Sequence, residues 1–176
     1  MAIPIISFVG NSGVGKTTFL EKLIAILKAR GYRVAAIKHD VHEFEVDYPG
    51  KDSWRLTAAG SDIVLLSSAD KLALIEHPDA ERTLAELVAM VNDRVDIVLT
   101  EGYRGASAMK IEVSRSAHSH ELTARLDDLL AIVTDAAFDY QVPQFDLEDA
   151  AGLADFIEER SSLVPSAMGL SPRVDR

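Results

Sequence analysis

The stretch Ile3-Pro4-Ile5-Ile6-Ser7-Phe8-Val9 runs straight into Gly10-Asn11-Ser12-Gly13-Val14-Gly15-Lys16-Thr17-Thr18, and this junction decides the fold. An apolar run of this length, bounded by glycine, reads as a buried strand from Ile3 to Val9. Past the glycines, Phe19, Leu20, Leu23, Ile24 and Leu27 recur at helical spacing, and Gly31 is placed to end that helix. The connection between strand and helix has the chemistry of a phosphate cradle. Backbone N–H groups can converge on phosphate oxygens only where bulky Cβ atoms are absent, and Gly10, Gly13 and Gly15 supply such a turn. The nucleotide-binding candidates are therefore Asn11, Ser12, Gly13, Val14, Gly15, Lys16, Thr17 and Thr18, with amide donors expected from about Gly13 to Thr18. Lys16 adds a point charge able to bridge the β- and γ-phosphates. The Thr17 hydroxyl suits a Mg²⁺ ion, and Thr18 can reach the α-phosphate.

Outward from this loop the chain alternates short β-rich runs with helical periods. Val34 to Ile37 is a second strand, and Ser53 is a candidate cap for a short helix carrying Trp54, Leu56 and Ala59. Ile63 to Leu66 and Leu72 to Ile75 flank Ser67-Ser68-Ala69-Asp70, the spacing of a hairpin. Leu84, Leu87, Val88 and Val91 mark a further helix. Ile97 to Leu99, Met109 to Val113 and Leu130 to Val133 read as strands, and Asp146 as the N-cap of a last helix with Leu153, Phe156 and Ile157. The fold class expected is α/β, a three-layer P-loop NTPase fold with a mostly parallel sheet and an antiparallel hairpin excursion. Residues 1–160 form the nucleotide-binding domain, and residues 161–176 a poorly ordered C-terminal tail.

A P-loop hydrolase also needs a carboxylate at the end of a neighbouring apolar strand. Asp96-Ile97-Val98-Leu99-Thr100-Glu101-Gly102 has that form, so Glu101 is the candidate metal ligand or water-orienting residue, against the plainer role of a solvated strand end. Lys38-His39-Asp40-Val41-His42 follows the second strand at its carboxyl end, where ligands bind in open α/β sheets. There Lys38 can contact phosphate and Asp40 can contact Mg²⁺. His39 and His42 are either polar surface or part of a transition-metal site. The candidates for catalysis are thus Lys16, Asp40 and Glu101, and those for Mg²⁺ are Thr17, Asp40 and Glu101. The segment Asp47 to Ser53 is a candidate switch or substrate-contact loop, with Lys51 as its ligand-binding residue.

The formal charge is −10, from 18 basic and 28 acidic residues, and the basic residues are scattered singly. Such a surface repels polyanions, so neither nucleic acid nor an anionic membrane is an expected partner. No apolar run reaches the roughly 18 residues that span a bilayer, and no signal peptide is evident. The complete absence of cysteine fits a reducing compartment and excludes thiolate metal sites. A cytoplasmic location is expected.

Taken as an ordered set, the motifs are similar to those of a known family. The chain resembles the molybdopterin-guanine dinucleotide biosynthesis adaptors, the MobB family of P-loop GTP-binding proteins. The resemblance is carried by Gly10 to Thr18, Lys38-His39-Asp40, Asp47 with Gly50-Lys51-Asp52-Ser53, Ala59-Gly60, Thr100-Glu101-Gly102-Tyr103-Arg104 and Gly152-Leu153-Ala154-Asp155-Phe156. It implies GTP and Mg²⁺ as ligands, slow hydrolysis, and homodimers formed through an extended sheet. It further implies a partner, the guanylyltransferase that attaches GMP to molybdopterin, and leaves molybdopterin itself as a possible ligand. The Asn-Lys-x-Asp element by which many GTPases read guanine is absent. Its nearest substitute is Thr134-Asp135, where Asp135 either accepts hydrogen bonds from guanine or caps the strand before it. No arginine is evident at a position suited to act on the phosphates; Arg104, Arg115 and Arg125 are not clustered in sequence. The competing functions are a nucleotide-dependent metallochaperone GTPase, a small-molecule kinase, and an interaction protein with a vestigial nucleotide site.

Overall fold

The computed structural model describes residues 3–39, 44–105, 108–118 and 121–165. Along the chain come β1 (Ile5–Val9), α1 (Lys16–Ala29), β2 (Val34–Lys38), α2 (Asp52–Ala58), β3 (Ile63–Ser67), β4 (Leu72–Glu76), α3 (Leu84–Ala89), β5 (Ile97–Glu101), β6 (Met109–Ser114), β7 (Leu129–Thr134), β8 (Gln144–Phe145) and α4 (Ala150–Ser161). They divide into two compact units, one of Met1–His39 with Val88–Arg176 and one of Asp40–Leu87.

The first unit holds a six-stranded sheet in the order β2-β5-β1-β6-β7-β8, with every pairing parallel. Side chains alternate across a strand, and that period sorts this sheet into two faces. Ile6 and Phe8, Ile97 and Leu99, Ile111 and Val113, and Ala131 and Val133 share one core cluster with α1 and α4. Phe19, Leu20, Leu23 and Leu27 of α1 and Ala150, Leu153, Ala154 and Ile157 of α4 complete it. The alternate positions are also buried but often polar: Ser7, Thr100, Glu112, Ser114 and Thr134. Ser7 and Thr100 face each other across the β1–β5 pair, and the Thr100 hydroxyl donates to Ser7 Oγ at 2.8 Å. Burial on both faces is what makes these strands read as nearly continuous apolar runs.

The ends of α1 follow local chemistry. Gly31, at φ 89°, lies just past its last turn, and the Tyr32 amide returns to the Leu27 carbonyl. The cap of α4 differs from expectation. Asp149 holds that place and accepts from the Gly152 amide at 2.8 Å, whereas Asp146 forms a turn one step earlier by accepting the Glu148 amide. Both aspartates can cap, and the turn before the helix decides between them. The two-residue β8 is too short to have left a periodic signal.

In the second unit β3 and β4 pair antiparallel, as the hairpin spacing predicts, and form a two-stranded sheet of their own. Ser53 lies inside α2 and is its buried residue, while Lys51 occupies the cap position. The tail from residue 166 onward lies outside the described residues. Among the described residues no helix is long and apolar enough to cross a membrane.

Leu23 is fully buried between α1 and the sheet. Leu23→Ala should lower unfolding stability by about 2–5 kcal/mol, seen as a reduced urea midpoint with an unchanged slope.

Candidate functional site

The carboxyl ends of β1, β5 and β6 bring the site together. β1 lies between β5 and β6, with β2 beyond one and β7 beyond the other, so the chain leaving β1 enters the crevice where the direction of winding switches. Gly10 is the pivot. Its φ is 134°, and a Cβ there would lie 2.2 Å from the Val113 carbonyl oxygen, so no other residue fits. Gly13 and Gly15 also take positive φ, 78° and 96°. Val14 between them is 2% exposed and belongs to the core cluster, which ties the loop down at its middle. Gly15 occupies the N-cap of α1 with no side-chain cap, leaving the first amides of a 14-residue helix directed into the loop.

Lys16 folds back over this turn, and its Nζ donates to the carbonyls of Asn11 at 2.8 Å and Gly10 at 3.2 Å. Burial holds its pKa below the ordinary lysine value. Glu101 opposes that shift, while Arg104 and Lys38 reinforce it. The Thr17 hydroxyl donates to Glu101 Oε2 at 2.8 Å, and Lys38 Nζ lies 3.9 Å from Glu101 Oε1. The structure therefore gathers Lys16, Thr17, Lys38 and Glu101 at one mouth, from three segments of chain. Ser12 and Thr18 are exposed beside them.

The oxygen donors Thr17 and Glu101 match the preference of Mg²⁺ for hard ligands. Among the described residues no group of three His, Cys, Asp or Glu side chains could hold a metal ion. Asp40 and His42 lie outside the described residues. Lys51 belongs to the Asp40–Leu87 unit, where its Nζ lies 5.1 Å from the Tyr48 ring centroid.

Two arginines that are far from the loop in sequence reach it in space. Arg104 Nη2 donates to the Gly10 carbonyl at 2.8 Å, and Arg115 Nε donates to the Val14 carbonyl at 3.1 Å. They approach from the segments that follow β5 and β6. Arg125, by contrast, lies 3.8 Å from Asp127 on the surface. The segment bearing Arg115 is fastened by two carboxylates. Buried Glu112 accepts the amides of Thr123 and Ala124, and Asp135 Oδ1 accepts the Ser116 amide at 2.7 Å. Asp135, just past the end of β7, is thus bonded to the segment that leans on the glycine loop.

A family model described as molybdopterin guanine dinucleotide synthesis protein B matches residues 5–135. The chain belongs to this family. Among curated members, the molybdopterin-guanine dinucleotide biosynthesis adapter protein of Escherichia coli is 38% identical over 162 residues, covering 89% of this chain and 93% of the relative. The protein of the same name from Haemophilus influenzae is 37% identical over 158 residues, covering 89% and 88%. A crystal structure of Bacillus subtilis MobB superposes with a TM-score of 0.75 at 26% identity, over 93% of this chain and all of that one. The fold of this chain is thus shared with that structure.

The Ser116 amide, followed by the Ser116 side chain, holds the Asp135 carboxyl below the usual aspartate range. A carboxyl lowered in the folded state adds stability above its unfolded pKa of about 3.9, and that stability is lost as pH falls through the lower folded value. Asp135→Asn should therefore be less stable than the parent above about pH 4, and the two should converge on further acidification, as read from urea midpoints across pH.

Proposed function

We propose that this protein is a GTP-binding adapter that assists the attachment of GMP to molybdopterin in forming the guanine dinucleotide of the molybdenum cofactor. The observation that carries the nucleotide reading is the convergence of Lys16, Thr17 and Glu101 on the glycine turn, with one carboxylate oxygen 2.8 Å from the Thr17 hydroxyl. The adapter role rests on membership of the family and on the names of its curated relatives.

In this reading the amides from Gly13 to Thr18 bind the phosphates of GTP and the α1 dipole adds to their attraction. The Lys16 ammonium exchanges the Asn11 and Gly10 carbonyls for phosphate oxygens, which offer it a full countercharge. Thr17 and Glu101 hold Mg²⁺, with Asp40 as the further candidate from sequence; the ion supplies neutralisation of charge on the phosphates. Glu101, which accepts from Thr17 and faces Lys38, is also the candidate to orient an attacking water. Slow hydrolysis is part of the proposal, as the resemblance to the family implies. That suits an adapter whose bound nucleotide marks a state. The transferase that joins GMP to molybdopterin is the proposed partner, and the cytoplasm the proposed location.

Homodimerisation is proposed from the hairpin. Ile63, Leu65, Leu72 and Leu74 lie on one face of the β3–β4 ladder at 52%, 61%, 64% and 47% exposure, while Val64 on the other face is buried. A two-stranded ribbon with an open apolar face invites a second copy.

Lys16→Ala should fold normally and lose GTP affinity at least tenfold, by isothermal calorimetry with Mg²⁺, and the parent should bind GTP more tightly than ATP. Undiminished affinity in the variant would remove the phosphate site from consideration. Leu65→Lys should shift the protein from dimer to monomer in sedimentation experiments while leaving GTP affinity in place.

A further inference from the structure

We propose that Arg104 is the residue that distinguishes a terminal phosphate from its absence, so that the site favours a nucleoside triphosphate over a diphosphate. This rests on the nucleotide reading above and names which part of the nucleotide the site senses.

The geometry begins with a shared oxygen. The Gly10 carbonyl accepts from Lys16 Nζ at 3.2 Å and from Arg104 Nη2 at 2.8 Å. The two donor nitrogens are therefore no more than about 6 Å apart, close enough for their charges to repel. A single carbonyl carries only a partial negative charge, and the nearby Glu101 is shared with Thr17 and Lys38. Two cations that share the Gly10 carbonyl, with the Asn11 carbonyl as the further acceptor of Lys16, meet only neutral partners there and form a better site for an anion. The anion that enters this mouth is the end of the polyphosphate, because Lys16 is the residue of the loop that reaches the β- and γ-phosphates.

Arg104 is also held by its own segment. Gly102 takes φ 100° and lies so close to the His39 carbonyl that a Cβ would sit 2.6 Å away, which forces glycine there. The Arg104 amide then donates back to the Gly102 carbonyl at 2.8 Å, closing a tight turn directly after β5. Between them the Tyr103 ring packs on His39 with centroids 4.7 Å apart. The turn thus has one backbone fixed by sterics and one aromatic anchor, and it directs the guanidinium to the loop. Arg104 is exposed at its outer side, so it can move from the carbonyl to a phosphate oxygen without unfolding anything.

Arg115 does not share this role. It donates to Val14, whose side chain is buried in the core cluster, and its guanidinium lies against Gly15 at the base of the loop. It braces the turn, and the Gly10 carbonyl with its two cations marks the mouth. A guanidinium that binds the triphosphate equally in ground and transition states raises affinity without raising turnover, which agrees with slow hydrolysis.

The test compares affinities for a non-hydrolysable GTP analogue and for GDP, each with Mg²⁺, in the parent, Arg104→Gln and Arg104→Lys by calorimetry. Arg104→Gln should lose about ten- to a hundredfold of triphosphate affinity and less than about threefold of diphosphate affinity. Arg104→Lys should recover part of the triphosphate preference. The ratio of the two affinities within one variant is unaffected by any loss of folded protein, so a partly unfolded sample still reports. Equal losses for both nucleotides, or none, would overturn this role while leaving the phosphate site standing. A parent protein that binds neither nucleotide would overturn both readings.

Discussion

The contact between Gly10 and the carbonyl of Val113 governs the rest of the molecule. β1 and β6 are neighbours in the sheet, and at the end of β1 the chain passes so near to β6 that a single methyl group would collide. The turn that begins there is fixed at its middle by Val14 in the core and closed by Gly15 at the head of α1. A segment of six residues is therefore held by sterics at one end, apolar packing in the centre and helix geometry at the other. Amide donors fixed in this way need no reorganisation when an anion arrives, which is the physical advantage of a preformed cradle.

Charge is concentrated against the overall trend. The chain carries −10, a field that would discourage a polyphosphate at long range. Around the loop, however, Lys16, Lys38, Arg104 and Arg115 meet, with Glu101 and buried Glu112 among them. The carboxylates have assigned partners: Glu112 takes two backbone amides, and Glu101 takes the Thr17 hydroxyl and faces Lys38. The net local excess is positive; burial above all holds the Lys16 pKa below its ordinary value, with Glu101 opposing the shift and the like charges of Arg104 and Lys38 adding to it. An anionic ligand would offset this excess positive charge, as the proposed phosphate site requires.

The Asp40–Leu87 unit follows a different economy. It is a short helix, a two-stranded ribbon and connecting segments, with most of its large apolar side chains exposed. A ribbon of two strands has little core of its own. Its apolar face carries the association proposed above, while the proposed nucleotide site belongs to the parallel sheet.

The sequence alone determined the strand, turn and helix from β1 through α1, because each depends on residues within a few positions: glycine for positive φ, apolar spacing for the helix, and Gly31 for its end. It also located Glu101, since an apolar strand ending in a carboxylate is a local pattern, and it separated the hairpin from the parallel strands by spacing. It misjudged the cap of α4 by three residues, because Asp146 and Asp149 are chemically alike and only the path of the preceding turn separates them. The arginines were illegible for another reason. Arg104 and Arg115 meet carbonyls 94 and 101 residues away in the chain, and that proximity arises only when β5 and β6 are laid on either side of β1. Local chemistry therefore settled what kind of loop this chain builds, while strand order, set by burial of whole faces, decided which side chains surround it.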